Sequence, residues 1–171
     1  LVGSEMCIRD SVSPKIGYDY LLNLGFTTLV DNYTSQDGKT YTDISLPLAL
    51  GGLTKGVTNL ELTNGFATIA NQGLYHPAFF YTKIVDHDGN VLLDNTMNTD
   101  TRQVMKESTA WLLTSAMEDV ILKGTGSRLK FKKINMPQAG KTGTSTGNRD
   151  LWFVGYTPYL TAGIWGGYDS G

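Results

Sequence analysis

Two neighbouring apolar runs, residues 150–156 and 160–165, constrain the fold of this chain more than any other feature. Both are rich in aromatic and aliphatic residues, which favour β-strands. Only Thr157, Pro158 and Tyr159 join them, and so short a connection forces antiparallel pairing. Because both faces of the first run carry large side chains, we expect that strand to lie inside a sheet that is covered on both sides.

Helical signals precede these strands. Thr58-Asn59-Leu60-Glu61 forms a capping box, and apolar residues follow it at helical spacing, which predicts a helix that ends at Gly73. A second helix is predicted over residues 106–122, with an apolar stripe that we expect in the core. The residues of this stripe are Leu113, Ala116, Met117 and Val120. Ser13 followed by Pro14 predicts a short helix that Gly25 can end.

Turn signals account for most of the remaining chain. Residues 81–85 and 91–93 flank Asp88-Gly89 and are expected to form a hairpin. The polar residues 31–43 are expected to form a surface loop, to which we assign no chemistry. Residues 124–126 carry two glycines and are expected to shape the exit of the second long helix rather than to contact a substrate.

Composition excludes several classes of function. A formal charge of −2 provides no basic field for a nucleic-acid backbone, so we expect no nucleic-acid partner. One Cys and two His, far apart in the chain, cannot supply the ligands of a zinc or iron site, and we expect neither metal nor cofactor. His76 and His87 are expected on the surface. No apolar stretch of about 18 residues is present, so any membrane anchor is expected outside this chain.

The two ends of the chain look truncated. It begins with Leu1, and it stops at Gly171 directly after an apolar run. Residues 1–11 resemble a translated sequencing adapter, and we expect them to be foreign to the protein. Residues 12–171 are then expected to be one domain or a piece of one.

Gly140-Lys141-Thr142 matches the last half of a phosphate-binding P-loop, but its context does not fit. Asn135 stands where the first glycine of the loop belongs. The residues that follow form a β pattern rather than the helix whose amides would hold phosphates. We therefore reject nucleotide binding.

Lys141-Thr142-Gly143 also matches the third motif of the penicillin-recognising serine enzymes. Around it, seven blocks occur in one order: residues 17–22, 50–52 with 56–58, 66–71, 83–85, 124–126, 140–145 and 150–158. On these blocks, nearly all of residues 12–171 resembles the C-terminal part of the transpeptidase domain of class A penicillin-binding proteins. The resemblance implies an α/β (α+β) domain, with an antiparallel sheet flanked by helices, similar to the serine β-lactamases.

The resemblance further implies D-alanyl-D-alanine transpeptidation of peptidoglycan stem peptides through a serine acyl-enzyme that β-lactams also form. It also implies a location at the outer face of the bacterial cytoplasmic membrane, with the rest of the transpeptidase domain and a glycosyltransferase domain upstream. The amide of Thr144 is implied in the oxyanion hole, and the hydroxyls of Thr142 and Thr144 in carboxylate binding. Gly143 leaves room for the substrate backbone, and Lys141 supplies a fixed positive charge.

The nucleophile is expected outside this chain. Ser127-Arg128-Leu129-Lys130 fits Ser-x-x-Lys literally, but Ser127 lies only fourteen residues before Lys141 within a basic segment, and we interpret it as solvated surface. No Ser-x-Asn element is present. A D,D-carboxypeptidase, a β-lactamase-like hydrolase or an inactive ligand-binding domain remain alternatives. Asp150 and Trp152 are expected to be structural.

Overall fold

The computed structural model describes residues 13–97 and 100–168, so the adapter-like segment 1–11 lies outside the described residues. In chain order the helices and strands are α1 (Pro14–Asn23), β1 (Tyr33–Thr34), β2 (Thr40–Tyr41), α2 (Asn59–Ala70), β3 (Leu74–Tyr75), β4 (Lys83–Val85), β5 (Val91–Asp94), β6 (Arg102–Gln103), α3 (Glu107–Leu122), β7 (Ala139–Thr144), β8 (Asp150–Tyr156) and β9 (Thr161–Gly167). Short 3-10 helices span Leu46–Leu50, Asn95–Met97, Ser127–Leu129 and Thr146–Asn148.

The largest sheet is antiparallel and has the order β7-β8-β9. The predicted pairing of the two apolar runs is therefore confirmed. Helices α2 and α3 pack on the face that carries Tyr156, where Met117 and Ala139 complete a buried cluster. On the opposite face, Leu151 is 51% exposed and Ile164 66% exposed. Within the described residues the sheet is thus covered by helices on one face, not on both as the sequence suggested.

The buried stripe of α3 is rotated from the predicted one. Met117 is buried as expected, but its buried companions on the helix are Ala110 and Ile121, and Leu113 is 40% exposed. Residues 110, 117 and 121 are spaced by seven and four, so they share one face of the helix. The packing of α3 against β7, where Met117 and Ala139 share one buried cluster, selects this face over the neighbouring one.

The predicted capping box at the start of α2 is confirmed and extends into a larger network. The Glu61 carboxylate accepts hydrogen bonds from the amide and hydroxyl of Thr58, at 2.9 and 2.8 Å. It also accepts them from the amides and hydroxyls of Thr27 and Thr28, at 2.6–3.1 Å. Partial burial by itself raises the pKa of Glu61, but the hydrogen bonds outweigh it and lower the pKa to about 2. Glu61 therefore fastens the segment after α1 to the start of α2.

The segment predicted as a surface loop over residues 31–43 contains the small hairpin β1–β2 and ends in a buried carboxylate. Asp43 is 1% exposed. It accepts hydrogen bonds from the amide of Val30 and from the amide and hydroxyl of Thr54, each at 2.7 Å. Burial raises the pKa of Asp43, and these hydrogen bonds outweigh it, so the pKa lies below its ordinary value. Asp43 thus connects Val30 to Thr54 within the region between α1 and α2.

Glycines with a positive φ follow α1 and α2 and turn the β4–β5 hairpin. Ser13 caps α1, which ends at Asn23, and Gly25 follows with a φ of +86°. Gly73 has a φ of +83° and lies three residues beyond the end of α2, which is shorter than predicted. The predicted β4–β5 hairpin is confirmed, with a φ of +86° at Gly89 in its turn. A left-handed φ costs glycine little, which explains these positions.

Candidate active site

The Lys-Thr-Gly-Thr segment forms the second half of β7, as a strand and not as a helix. Strand β7 lies at the end of the three-stranded sheet and pairs with β8 alone among the described strands. Its register sets Lys141 opposite Val154 and Thr144 opposite Leu151. One edge of the Lys141–Thr144 segment is therefore paired, and the other is open.

The register also determines which amides of β7 point to the open edge. The amide of Ser145 donates to the carbonyl of Asp150 at 3.0 Å, and these two residues continue the β7–β8 register. Hydrogen-bonded and non-hydrogen-bonded pairs alternate along an antiparallel ladder. The pairs at Thr144 and Thr142 are consequently non-hydrogen-bonded, and the N–H and C=O groups of both threonines point away from β8. The two threonines present main-chain donors at an edge that no described strand covers.

The side chains of this segment are held by their neighbours. The ammonium of Lys141 is exposed and donates to the carbonyl oxygen of Thr142 at 2.7 Å, which agrees with a carbonyl at the open edge. The hydroxyl of Thr142 lies 2.8 Å from that of Thr125. A Cβ on Gly143 would lie 3.3 Å from the Cβ of Trp152 on β8, a tight contact. Lys141 and Thr142 project to opposite faces of the sheet but meet at the same edge.

The turn that follows Thr144 is fixed by Asp150. The carboxylate of Asp150 accepts a hydrogen bond from the Ser145 hydroxyl at 2.9 Å and one from the Trp165 indole N–H at 3.0 Å. The ring of Trp165 lies 6.3 Å from that of Trp152. Asp150 and Trp152 thus make contacts that hold the end of β7 in register with β8, and their expected structural role stays a prediction.

Two cavities in the described part of the chain lie away from the open edge of β7. One, of about 420 Å³, lies between the end of α2 and the start of α3. The other, of about 560 Å³, is apolar, and its lining includes Phe131, Phe153 and Ile164. Neither is lined by Lys141–Thr144, so among the described residues this segment borders the open edge of β7 and neither cavity.

Other candidate residues occupy ordinary surroundings. Ser127 begins a 3-10 helix of three residues, not a long helix, and its amide donates to the Gly124 carbonyl at 3.2 Å. His76 and His87 are both exposed, as predicted.

Within residues 13–97 and 100–168, no three His, Cys, Asp or Glu side chains form a cluster suited to a metal ion. In the same residues, no helix has both the length and the apolarity needed to cross a bilayer.

Comparison with known proteins agrees with this architecture. Residues 7–165 match the family model of the penicillin-binding protein transpeptidase domain. The chain is 36% identical to penicillin-binding protein 1F of Bacillus subtilis over 142 residues. This alignment covers 81% of this chain and 20% of that protein. The structure of penicillin-binding protein PonA1 from Mycobacterium tuberculosis superimposes with a TM-score of 0.68 and 30% identity, over 85% of this chain and 38% of that one.

The chain therefore belongs to the penicillin-binding protein transpeptidase domain family. Its resemblance to the class A members is confirmed by these relatives. Penicillin-binding protein 1A from Haemophilus influenzae shares the fold, with a TM-score of 0.71 and 20% identity over 97% of this chain and 28% of that one. The chain spans about a fifth of the length of penicillin-binding protein 1F.

One residue that contacts β7, Thr125, was not predicted from the sequence. Thr125 was included in residues 124–126, which we assigned only to the exit of α3. The structure supports that assignment for the two glycines but brings the Thr125 hydroxyl to Thr142. A hydroxyl-bearing residue between two glycines was the available signal, but nothing in the sequence shows how the loop passes β7.

Proposed function

We propose that this chain is the part of a D-alanyl-D-alanine transpeptidase that supplies one wall of the active site. The reaction joins peptidoglycan stem peptides through a serine acyl-enzyme, at the outer face of the bacterial cytoplasmic membrane, and β-lactams acylate the same serine. The observation that carries the proposal is the open edge of β7, where the amide of Thr144 points away from β8. The structure of PonA1 in complex with penicillin V is 29% identical to this chain, over 85% of this chain and 38% of that one.

The amide of Thr144 is proposed as one donor of the oxyanion hole. Attack by a serine on an amide or β-lactam carbonyl places negative charge on the carbonyl oxygen. A main-chain N–H that is already oriented stabilises this charge without reorganisation, and removing one such donor costs about a hundredfold to a thousandfold in rate. The contacts of Ser145 and Asp150 support this role because they fix the backbone immediately after Thr144.

Lys141 and Thr142 are proposed to select an anionic substrate. The ammonium of Lys141 and the hydroxyls of Thr142 and Thr144 belong to one open strand end, where they favour a carboxylate over a neutral group. Gly143 would allow the substrate backbone to lie close to the strand, since no side chain intervenes. The stem peptide and penicillin both carry a carboxylate beside the bond that is attacked.

A segment outside this chain is proposed to supply the serine and its activating lysine. The Ser127-x-x-Lys130 match lies in a single 3-10 turn. The purified 171-residue chain is therefore expected not to react covalently with a labelled penicillin. Covalent labelling of this chain, at Ser127 or elsewhere, would contradict the proposal.

The decisive experiment uses the full-length protein and the variant Thr144→Pro. Proline removes the N–H of residue 144, and an edge strand tolerates proline where that N–H does not serve the ladder. The rate of acylation by penicillin is expected to fall about a hundredfold or more. Thr144→Val, which keeps the amide, is the matched control for the side chain.

A Thr144→Pro protein that is acylated within threefold of Thr144→Val would refute the assignment of the amide. Lys141→Ala provides an independent measurement, because it leaves the backbone of β7 unchanged. We expect it to lower the acylation rate sharply. An unchanged rate would remove Lys141 from the site.

A further inference from the structure

Thr125 lies in the loop after α3, and its hydroxyl contacts a residue of strand β7. Its oxygen lies 2.8 Å from the hydroxyl oxygen of Thr142 on β7. The Thr125 side chain is exposed and that of Thr142 is half-buried. This pair of hydroxyls therefore lies at the surface of the edge strand β7 rather than in the core.

The backbone on both sides of Thr125 is tightly held. The amides of Gly124 and Gly126 both donate to the carbonyl of Val120, at 3.1 and 3.0 Å. A Cβ on Gly124 would lie 2.9 Å from the Cα of Val120, and one on Gly126 would lie 2.8 Å from a methyl group of Ile121. Only glycine fits at either position without displacement, so the last turn of α3 fixes where Thr125 stands.

We propose that Thr125 is a positioning residue that orients the Thr142 hydroxyl toward the carboxylate of the substrate. The proposal rests on the function proposed above. A hydroxyl has a single proton to donate and two lone pairs that accept. When the Thr125 hydroxyl donates to the Thr142 oxygen, the proton of Thr142 is free for another acceptor. A carboxylate only accepts, so its arrival favours this orientation of the pair.

The carbonyl of Thr142 is held as well. Lys141 donates to it at 2.7 Å, so this threonine is restrained at both its main chain and its side chain. Because Thr142 is already restrained before the substrate arrives, less entropy is lost when the substrate binds. The effect of Thr125 should consequently appear in binding of the carboxylate and not in the chemical step.

The test compares Thr125→Val and Thr125→Ser in the full-length protein. Valine keeps the shape of threonine without its hydroxyl, whereas serine keeps the hydroxyl. The progress of acylation by a fluorescent penicillin is measured at several concentrations, which separates the dissociation constant from the maximal rate of acylation. Thr125→Val is expected to raise the dissociation constant about fivefold with the maximal rate unchanged, as one neutral hydrogen bond predicts. Thr125→Ser is expected to restore most of the affinity.

Thr142→Val and the double variant complete a cycle that identifies the pathway of the effect. If Thr125 acts through Thr142, Thr125→Val has no further effect in the Thr142→Val background. An equal loss in both backgrounds, or a dissociation constant unchanged by Thr125→Val while Thr142→Val raises it, overturns the positioning role alone. If Thr142→Val itself leaves carboxylate binding unchanged, the proposed function of Thr142 fails instead, and the positioning role fails with it.

Discussion

Replacement of Glu61 by Gln is the sharpest test of what holds this fold together. The two carboxylate oxygens accept six hydrogen bonds, from the amides and hydroxyls of Thr27, Thr28 and Thr58. Gln has the same length but only one acceptor oxygen, and its NH₂ group would face donors. We therefore expect the joint between α2 and the segment after α1 to weaken.

The pKa of Glu61 sets the size of the effect. It is about 2 in the folded chain, against an ordinary value of 4.5. At about 1.4 kcal/mol per pKa unit, this difference corresponds to ~3 kcal/mol, and solvent screening of a half-exposed carboxylate reduces it to about 1–2 kcal/mol. Because the folded-state pKa is the lower one, the stabilisation is complete above about pH 5 and is lost as the pH falls through 4.5 toward 2.

Urea unfolding of the purified chain measures this effect. The free energy of unfolding of Glu61→Gln is expected to lie about 1–2 kcal/mol below that of the wild type at pH 7, and the difference is expected to shrink at pH 3. Glu107→Gln, in the first turn of α3, is the matched control and should change stability by less than about 0.5 kcal/mol. A Glu61→Gln deficit that is absent at pH 7, or as large at pH 3 as at pH 7, would refute this reasoning.

Two further substitutions probe the segment around α1. Asp43→Asn should lower the free energy of unfolding by about 2–3 kcal/mol at pH 7, because it places an NH₂ group against buried donors. Asp37→Asn, in an exposed turn, should have little effect. Equal urea midpoints for the two variants would count against a role for the buried carboxylate. Gly25→Ala should lower Tm more than Gly38→Ala does. Both glycines have a positive φ, but only at Gly25 would the new Cβ meet the Tyr75 side chain, 2.5 Å from its hydroxyl oxygen and 2.6 Å from a ring carbon. Equal losses of Tm would show that φ alone decides.

Local signals predicted the elements of this fold well, because their causes are local. The Thr58–Glu61 capping box and the glycine in the β4–β5 turn each act within a few residues. The short connection between the two apolar runs, residues 157–160 in the structure, likewise left no alternative to antiparallel pairing. Each of these predictions needed only the chemistry of neighbouring residues.

The predictions that were wrong depended on contacts between distant elements. The buried face of α3 was misplaced because two adjacent stripes are apolar, and the choice between them is made by its packing against β7. Large side chains on both faces of β8 suggested two covered faces, yet the chain packs helices against only one of them in its described part. Asp43 lay in a polar segment, and nothing local distinguishes a carboxylate that will be buried against Val30 and Thr54.

The candidate site could be located from sequence, although its hydroxyl pair could not. A strand alternates with a period of two in both its side chains and its outward amides. In the segment Lys141–Thr144, this alternation sends the amides of Thr142 and Thr144 to the open edge together and places both hydroxyls on one face. Four consecutive residues can thus combine a positive charge, a gap without a side chain, two hydroxyls and an oriented donor. The same motif in a helix would spread these groups around the axis, so the edge position of β7 is what gives the motif its chemistry.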